Sequence, residues 1–232
     1  MARLRAVSAT ILALDTASRQ VSVAVATADQ VLALRTGPQR GSSAHLVTWI
    51  DDCLGEAGVT LDALAGVVAL RGPGSFTGLR VGLATVLGFH QAIGIAAAAL
   101  PTLGVLAATI EPGARVLALV PASAGEWFAQ PWSSTWPPSP LGEPQRLPAA
   151  ELGAVDAELA VVGSEEDAAA LSALATPLRV AGPLAPVAAR LAAATPPEWD
   201  ADLLRTPLYL APAPVTIPGA PKRVLPASGE SS

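Results

Sequence analysis

Thr10-Ile-Leu-Ala-Leu14 is a continuous apolar run that ends on the polar Asp15-Thr16-Ala17-Ser18, the pattern of a fully buried strand opening into a turn. Val21, Val23 and Val25 then alternate with Ser22 and Ala24, the two-residue period of a half-buried strand. A turn over Thr27-Ala-Asp-Gln30 and a third strand over Val31 to Leu34 complete an antiparallel meander. The period then changes. Leu46, Trp49, Ile50, Cys53, Leu54 and Ala57 recur at three- and four-residue spacing, which predicts a helix with one apolar face. Ser42 or Ser43 is placed to cap it and Gly58 to close it.

Gly66-Val-Val-Ala-Leu70 predicts another buried strand, broken at Arg71-Gly72-Pro73-Gly74. Ser75 is placed to cap a second helix from Phe76 to about Ile93, and Ile95 to Leu100 reads as a strand. Pro101 ends that strand and Thr102 is placed to cap a short helix to Thr109. Three strands, then helix, strand, helix, strand is the ribonuclease-H-like order, a meander extended by parallel crossovers. After Glu111-Pro-Gly the pattern partly restarts. Strands are predicted at Arg115 to Val120, Glu126 to Gln130 and Leu159 to Val162, and helices at Asp167 to Leu174 and Ala185 to Ala194. Pro207-Leu-Tyr-Leu210 reads as a short terminal element. The chain is thus read as an N-terminal lobe over residues 1–110, a smaller lobe over 111–211, and a disordered Pro/Ala/Gly/Ser tail over 212–232.

Composition narrows the chemistry. The 232 residues are 51% hydrophobic and 14% charged, and 14 basic against 19 acidic side chains leave a net charge of −5. Lys222 is the only lysine and no basic stripe appears, which disfavours direct grip on a phosphate backbone. A single cysteine, Cys53, excludes an internal disulfide framework and a Cys-based zinc cluster. His45 and His90 are too far apart for a helical metal pair, so no metal and no cofactor are expected. The uncharged stretch from Val81 to Ile110 is the one membrane candidate. Its glycines, Pro101, His90 and Gln91 fit a buried helix and strand better, so the expectation is a cytoplasmic protein without a membrane span.

The loop Gly72-Pro73-Gly74-Ser75-Phe76-Thr77-Gly78 lies between strand and helix, where anions are often held. It departs from known phosphate loops. Thr77 stands where a dinucleotide fingerprint needs glycine, and Leu79-Arg80 follow Gly78 where a P-loop needs Lys-Ser/Thr. The plainer reading is a tight turn. Asp15, at a strand end, is a candidate for Mg²⁺ coordination or water positioning, but the later strand ends offer no converging carboxylates. Ser75 lacks a nucleophile-elbow frame and Cys53 falls on the apolar stripe, so no catalytic residue is assigned. Trp127, Trp132 and Trp136 could stack on a sugar or base, but the interleaved prolines point to hairpin packing instead.

Ile11-Leu-Ala-Leu-Asp15-Thr16-Ala17-Ser18, the helix end Leu54-Gly-Glu-Ala57-Gly58 and, above all, Arg71-Gly-Pro-Gly-Ser-Phe-Thr-Gly-Leu-Arg80-Val-Gly82 resemble the TsaB (YeaZ) family. The resemblance is strongest over residues 10 to about 110; Val162-Gly163 and Pro207-Leu-Tyr-Leu210 resemble later landmarks. It implies a two-lobed α/β fold of the actin-like ATPase superfamily with a degenerate nucleotide site. It also implies a non-catalytic subunit in the installation of threonylcarbamoyl on the tRNA adenosine beside the anticodon. The implied partners are TsaD, in a heterodimer, and TsaE; a homodimer is a further possibility, and tRNA is contacted only through the complex. Three positions depart from the family pattern. Ser42-Ser43-Ala44 replaces His-Ser-Glu, Pro121-Ala122-Ser123 replaces Asp-Ala-Arg, and Ala211 replaces an arginine.

Two neighbouring helices with more apolar surface than one sheet face requires suggest a partner interface. Its expected members are Leu46, Trp49, Ile50 and Cys53 on the first helix and Phe76, Leu79, Arg80, Leu83 and Leu87 on the second, with Trp49 as the anchor. The alternative from a different class is an ATP-dependent phosphotransferase or peptidase-like enzyme built on Asp15 and the Gly72–Gly78 loop.

Overall fold

The computed structural model describes residues 9–41, 44–123 and 125–208. Strands β1 (Ile11–Asp15), β2 (Gln20–Ala26) and β3 (Val31–Pro38) form the meander, and β4 (Gly66–Leu70) and β5 (Ala97–Leu100) extend it in parallel, in the order β3-β2-β1-β4-β5. Helices α1 (Leu46–Ala57) and α2 (Phe76–Ile93) are the crossovers. The second sheet is built on β6 (Arg115–Ser123), which pairs antiparallel with β7 (Glu126–Ser133) and parallel with β10 (Leu159–Val162). The short β8 (Ser139–Pro140) and β9 (Gln145–Pro148) pair with β7, and β11 (Leu178–Val180) lies beyond β10. The fold is a mixed α/β structure with two sheets.

Alternation along the strands separates three cores. Leu12, Leu14, Val23, Val25, Val67 and Ala69 face α1 and α2. Their neighbours Ile11, Ala13, Ala24, Ala26, Val68 and Leu70 face the opposite way, into a core shared with Val116, Ala118 and Val161 of the second sheet. Helices α3 (Thr102–Ala107) and α5 (Leu184–Ala194) fill the space between the sheets. Alanines 185, 188, 189 and 192 line the buried side of α5, which lets the helix approach β1 and β2 closely. Leu117, Leu119, Ala160 and Val162 form the third core on the far side of the second sheet, with Trp127 and Leu152.

The C-terminal part of the chain returns to the first sheet. α5 packs on β1 and β2. Trp199 lies so close to Gly66 that a Cβ there would collide with its ring. Leu204 is buried in the α1/α2 core, and the Leu208 amide donates to the Arg71 carbonyl at 2.7 Å. Residues assigned from sequence to the second lobe therefore complete the first.

Element ends follow local chemistry, with some corrections. The Ser75 hydroxyl accepts from the Gly78 amide at the start of α2 and Gly58 closes α1 in left-handed conformation, as the sequence predicts; Gly94 closes α2 in the same way. α1 begins at Leu46 behind His45, which makes no side-chain cap. Ser42 and Ser43, expected to cap it, lie outside the described residues. Pro101, not Thr102, occupies the α3 cap position. α4 spans Glu165–Ala170, earlier and shorter than the expected helix, because Ser164 caps it and accepts from the Asp167 amide. Residues 209–232, which include Tyr209, Leu210 and the expected tail, also lie outside the described residues.

Candidate functional site

The β1–β2 turn and the glycine loop are pressed together. The Ser75 amide donates to the Ala17 carbonyl at 2.9 Å, and the Thr16 hydroxyl donates to the Gly78 carbonyl at 2.6 Å. A Cβ on Gly78 would collide with the Thr16 carbonyl, and one on Gly82 with the Thr16 hydroxyl; at Gly74 it would crowd Ala17. These glycines remove side chains so that one backbone can lie against another. Gly72 additionally takes a positive φ of 109°, a conformation disfavoured for residues with a side chain. The loop's inner surface is thus occupied by Thr16 and Ala17 of the same chain.

Asp15 sits at the end of β1, fully buried. Its Oδ1 accepts from the Ala17 and Ser18 amides at 3.0 and 3.1 Å, which organises the turn, while Oδ2 has no hydrogen-bond partner. Burial raises its pKa to about 6, against the opposing hydrogen bonds from Ser18 and Ala17. Among the described residues no group of three or more His, Cys, Asp or Glu side chains converges in a metal-binding arrangement. Asp15 alone is a poor donor set for a divalent cation, which takes several oxygens.

Beside the loop a cleft opens between the two sheets. Its inner cavity, about 150 Å³, is lined by Ser18, Gln39, Ser75 and Thr102 on one side and by Val120, Pro121 and Gly163 on the other. The buried Thr102 hydroxyl has no partner. Pro121, which stands where the family pattern has an aspartate, brings no charge to this cleft.

The helices divide their apolar residues differently from the expected interface. Leu46, Ile50 and Cys53 of α1 and Leu79 and Leu83 of α2 are all buried in the core above the first sheet, because residues three and four apart share the helix face that seeks that sheet. These five cannot line a partner surface. Burial also raises the Cys53 thiol to about 11, which leaves it protonated and inert. Trp49 is half-buried: its ring covers Gly37 of β3 and stacks on His45 with centroids 6.3 Å apart. Phe76 and Leu87 are also half-buried, and the Arg80 guanidinium lies 3.9 Å above the Phe76 ring.

The outward surface of α1 is mostly polar, with Thr48, Asp51, Asp52 and Glu56 exposed beside Val47. Arg35 of β3 pairs with Asp52 and Glu56 there. The excess apolar surface expected on α1 is therefore absent from that face. On α2 the outward positions Ala84, Gly88 and Ala92 are small, and Val81 to Ile93 contains no Asp, Glu, Lys or Arg. Ile93, half exposed, ends this face. Sequence reasoning missed these positions because it sought large apolar side chains; their mark is the run of Ala and Gly at helical spacing. Of the tryptophans, Trp127 and Trp132 are buried, the latter against Gly104 of α3, while Trp136 is exposed.

A profile of the family described as TsaD, tRNA N6-adenosine threonylcarbamoyltransferase, matches residues 37–130. The tRNA threonylcarbamoyladenosine biosynthesis protein TsaB of Escherichia coli is 36% identical over 126 residues, 51% of this chain and 52% of that protein. TsaB of Haemophilus influenzae is 37% identical over 73 residues, 32% of this chain and 31% of the relative. The structure of YeaZ from Pseudomonas aeruginosa superposes with a TM-score of 0.65 at 27% identity, over 80% of this chain and 90% of that one. The chain is similar to TsaB and YeaZ proteins in part of its sequence and in fold. The match to the two curated TsaB proteins spans from about a third to about half of their length, whereas the fold shared with YeaZ runs through nearly all of that structure.

Two outcomes follow for this turn. Gly78→Ala forces its methyl group into the Thr16 backbone and is expected to destabilise the chain by at least about 3 kcal/mol in urea unfolding. For Asp15, whose pKa is raised on folding, the sign is that stability falls as pH rises from about 4 through 6, with the full penalty above that range. Asp15→Asn is therefore expected to stabilise the protein at pH 7.5, by up to roughly 3 kcal/mol. That gain should disappear towards pH 4 when unfolding is measured across the range.

Proposed function

We propose that the chain is a non-catalytic scaffold subunit for threonylcarbamoyl transfer to tRNA. In this reading it pairs with a TsaD-type enzyme, recruits a TsaE-type ATPase and contacts tRNA only through that assembly, in the cytoplasm. The observation that carries the reading is the glycine loop: it is filled by the chain's own Thr16 and Ala17, and so serves to seat α2. The two-sheet plan, with β3-β2-β1-β4-β5 as its first sheet, supports descent from an actin-like ATPase whose nucleotide site has degenerated. Relatives named for threonylcarbamoyladenosine biosynthesis support the pathway.

The surface assigned to the partner is the outward face of α2. Ala84 and Gly88 allow a helix from another subunit to approach closely, and the absence of charge from Val81 to Ile93 lowers the desolvation penalty. The same face is available to a second copy when the partner is absent. Asp51, Asp52 and Glu56 on α1 lie outside this apolar contact and fit a polar rim.

Ala84→Arg is expected to weaken binding to the TsaD protein of the same genome at least about tenfold, or roughly 1.4 kcal/mol, without loss of fold by circular dichroism. Unchanged affinity in both Ala84→Arg and Gly88→Arg would overturn the assigned surface. Micromolar, Mg²⁺-dependent ATP binding by the isolated chain, measured by titration calorimetry, would favour instead a phosphotransferase centred on Asp15.

A further inference from the structure

Arg19 stands in the turn between β1 and β2, on the first sheet, and reaches across to α4 on the second. Its Nε lies 2.9 Å from Asp167 Oδ1 and its Nη1 3.1 Å from Glu166 Oε1. Asp167 is almost wholly buried, and its amide is fixed by the Ser164 hydroxyl at 3.1 Å, so that carboxylate is presented in one position. The Arg19 side chain is 48% exposed and Glu166 74%, which leaves the outer half of the contact open to solvent ions.

The same side chain lines three cavities of the cleft. The inner one is bounded by Thr102 and Leu184. A second, of about 260 Å³, is bounded by Trp127 and Ala149, and a third, of about 440 Å³, by Pro38 and Val180. Asp167 borders the first two and Glu166 the last two. The ion-paired residues are thus the ones that the neighbouring cavities share.

We propose that Arg19 is an electrostatic latch that holds the cleft between the two sheets closed, and that its release joins the three cavities into one. The hinge is the apolar core around α3 and α5, which both sheets share. The contacts differ in kind: screening by salt weakens the exposed Arg19–Glu166 pair most, the pair to the buried Asp167 less, and leaves the apolar core intact. Release also has a path outward. The turn that carries Arg19 accepts the Ser75 amide and the Gln39 side-chain amide at the Ala17 carbonyl, so movement of Arg19 reaches the first residue before α2 directly. This link rests on the geometry of the turn and is independent of what binds α2.

The test uses full-length chain carrying spin labels on cysteines introduced at the exposed Thr36 of β3 and Ala169 of α4, while the buried, protonated Cys53 stays unlabelled. Distances between the labels are measured in wild type, Arg19→Ala, Arg19→Lys and Glu166→Gln backgrounds at low and high NaCl. The expected result is a longer and broader distribution for Arg19→Ala. Arg19→Lys and Glu166→Gln should fall between it and wild type, and high salt should shift wild type towards Arg19→Ala. A wild-type distribution in Arg19→Ala, or no salt response in wild type, overturns the latch. If Arg19→Ala fails to fold, the salt titration of the wild type decides alone, a shift supporting the proposal and its absence refuting it.

Discussion

Two backbones lie directly against each other: the Thr16–Ala17 turn and the glycine-rich start of α2. Hydrogen bonds at 2.6 and 2.9 Å join them, and the room for those bonds exists only because positions 74, 78 and 82 lack side chains. The position of α2 over β4 and β5 depends on this contact, as does the burial of Leu79, Leu83 and Val86 beneath it. The outward face of the helix is then set by geometry, since the residues opposite the buried stripe have no other direction to point. The glycine-rich loop is filled by the chain's own turn, and the buried, half-satisfied Asp15 is the acceptor that shapes the other side of the same contact.

Much of this architecture was legible in the sequence because strand and helix periods differ so sharply. The alternation of Val21, Val23 and Val25, the uninterrupted Ile11–Leu14 run and the spacing of Leu46, Ile50 and Cys53 each identify an element and its buried side. Ser75 and Gly58 mark helix ends by chemistry that acts within a few residues. What was not legible is long-range or weakly patterned. β9 and β11 are short and largely exposed, so they carry little alternation, and Thr102 reads as a cap although Pro101 holds that place. The same helical spacing that located α1 and α2 picked out buried residues as members of a partner surface. It marks the face a helix hides, and a sheet of the same chain hides it as well as a partner does. The small residues on the outer side of α2 give no comparable signal, because alanine and glycine are also what an unremarkable surface contains.

Electrostatics has a narrow but placed role. Arg35 pairs with Asp52 and Glu56 on one flank, Arg146 with Glu126 on another, and Arg115 with Asp156 and Glu158 on a third. Each of these joins elements within one half of the molecule and is exposed enough to add little. Arg19 differs by joining the halves and by meeting a carboxylate that has been withdrawn from water. A charge pair in that position contributes more to the choice of arrangement than to total stability.

The return of the chain to its first sheet has a consequence for biosynthesis. β5 ends at Leu100, yet the helix that covers β1 and β2 begins at Leu184, and Leu204 is needed to finish the core on the opposite face. During translation the opening sheet therefore leaves the ribosome with one side still bare, and it stays so until nearly the whole of the second sheet has also emerged. The nascent chain carries a greasy, unpaired surface through that interval, a period in which chaperone protection or rapid elongation matters more than it would for a protein whose halves mature in turn.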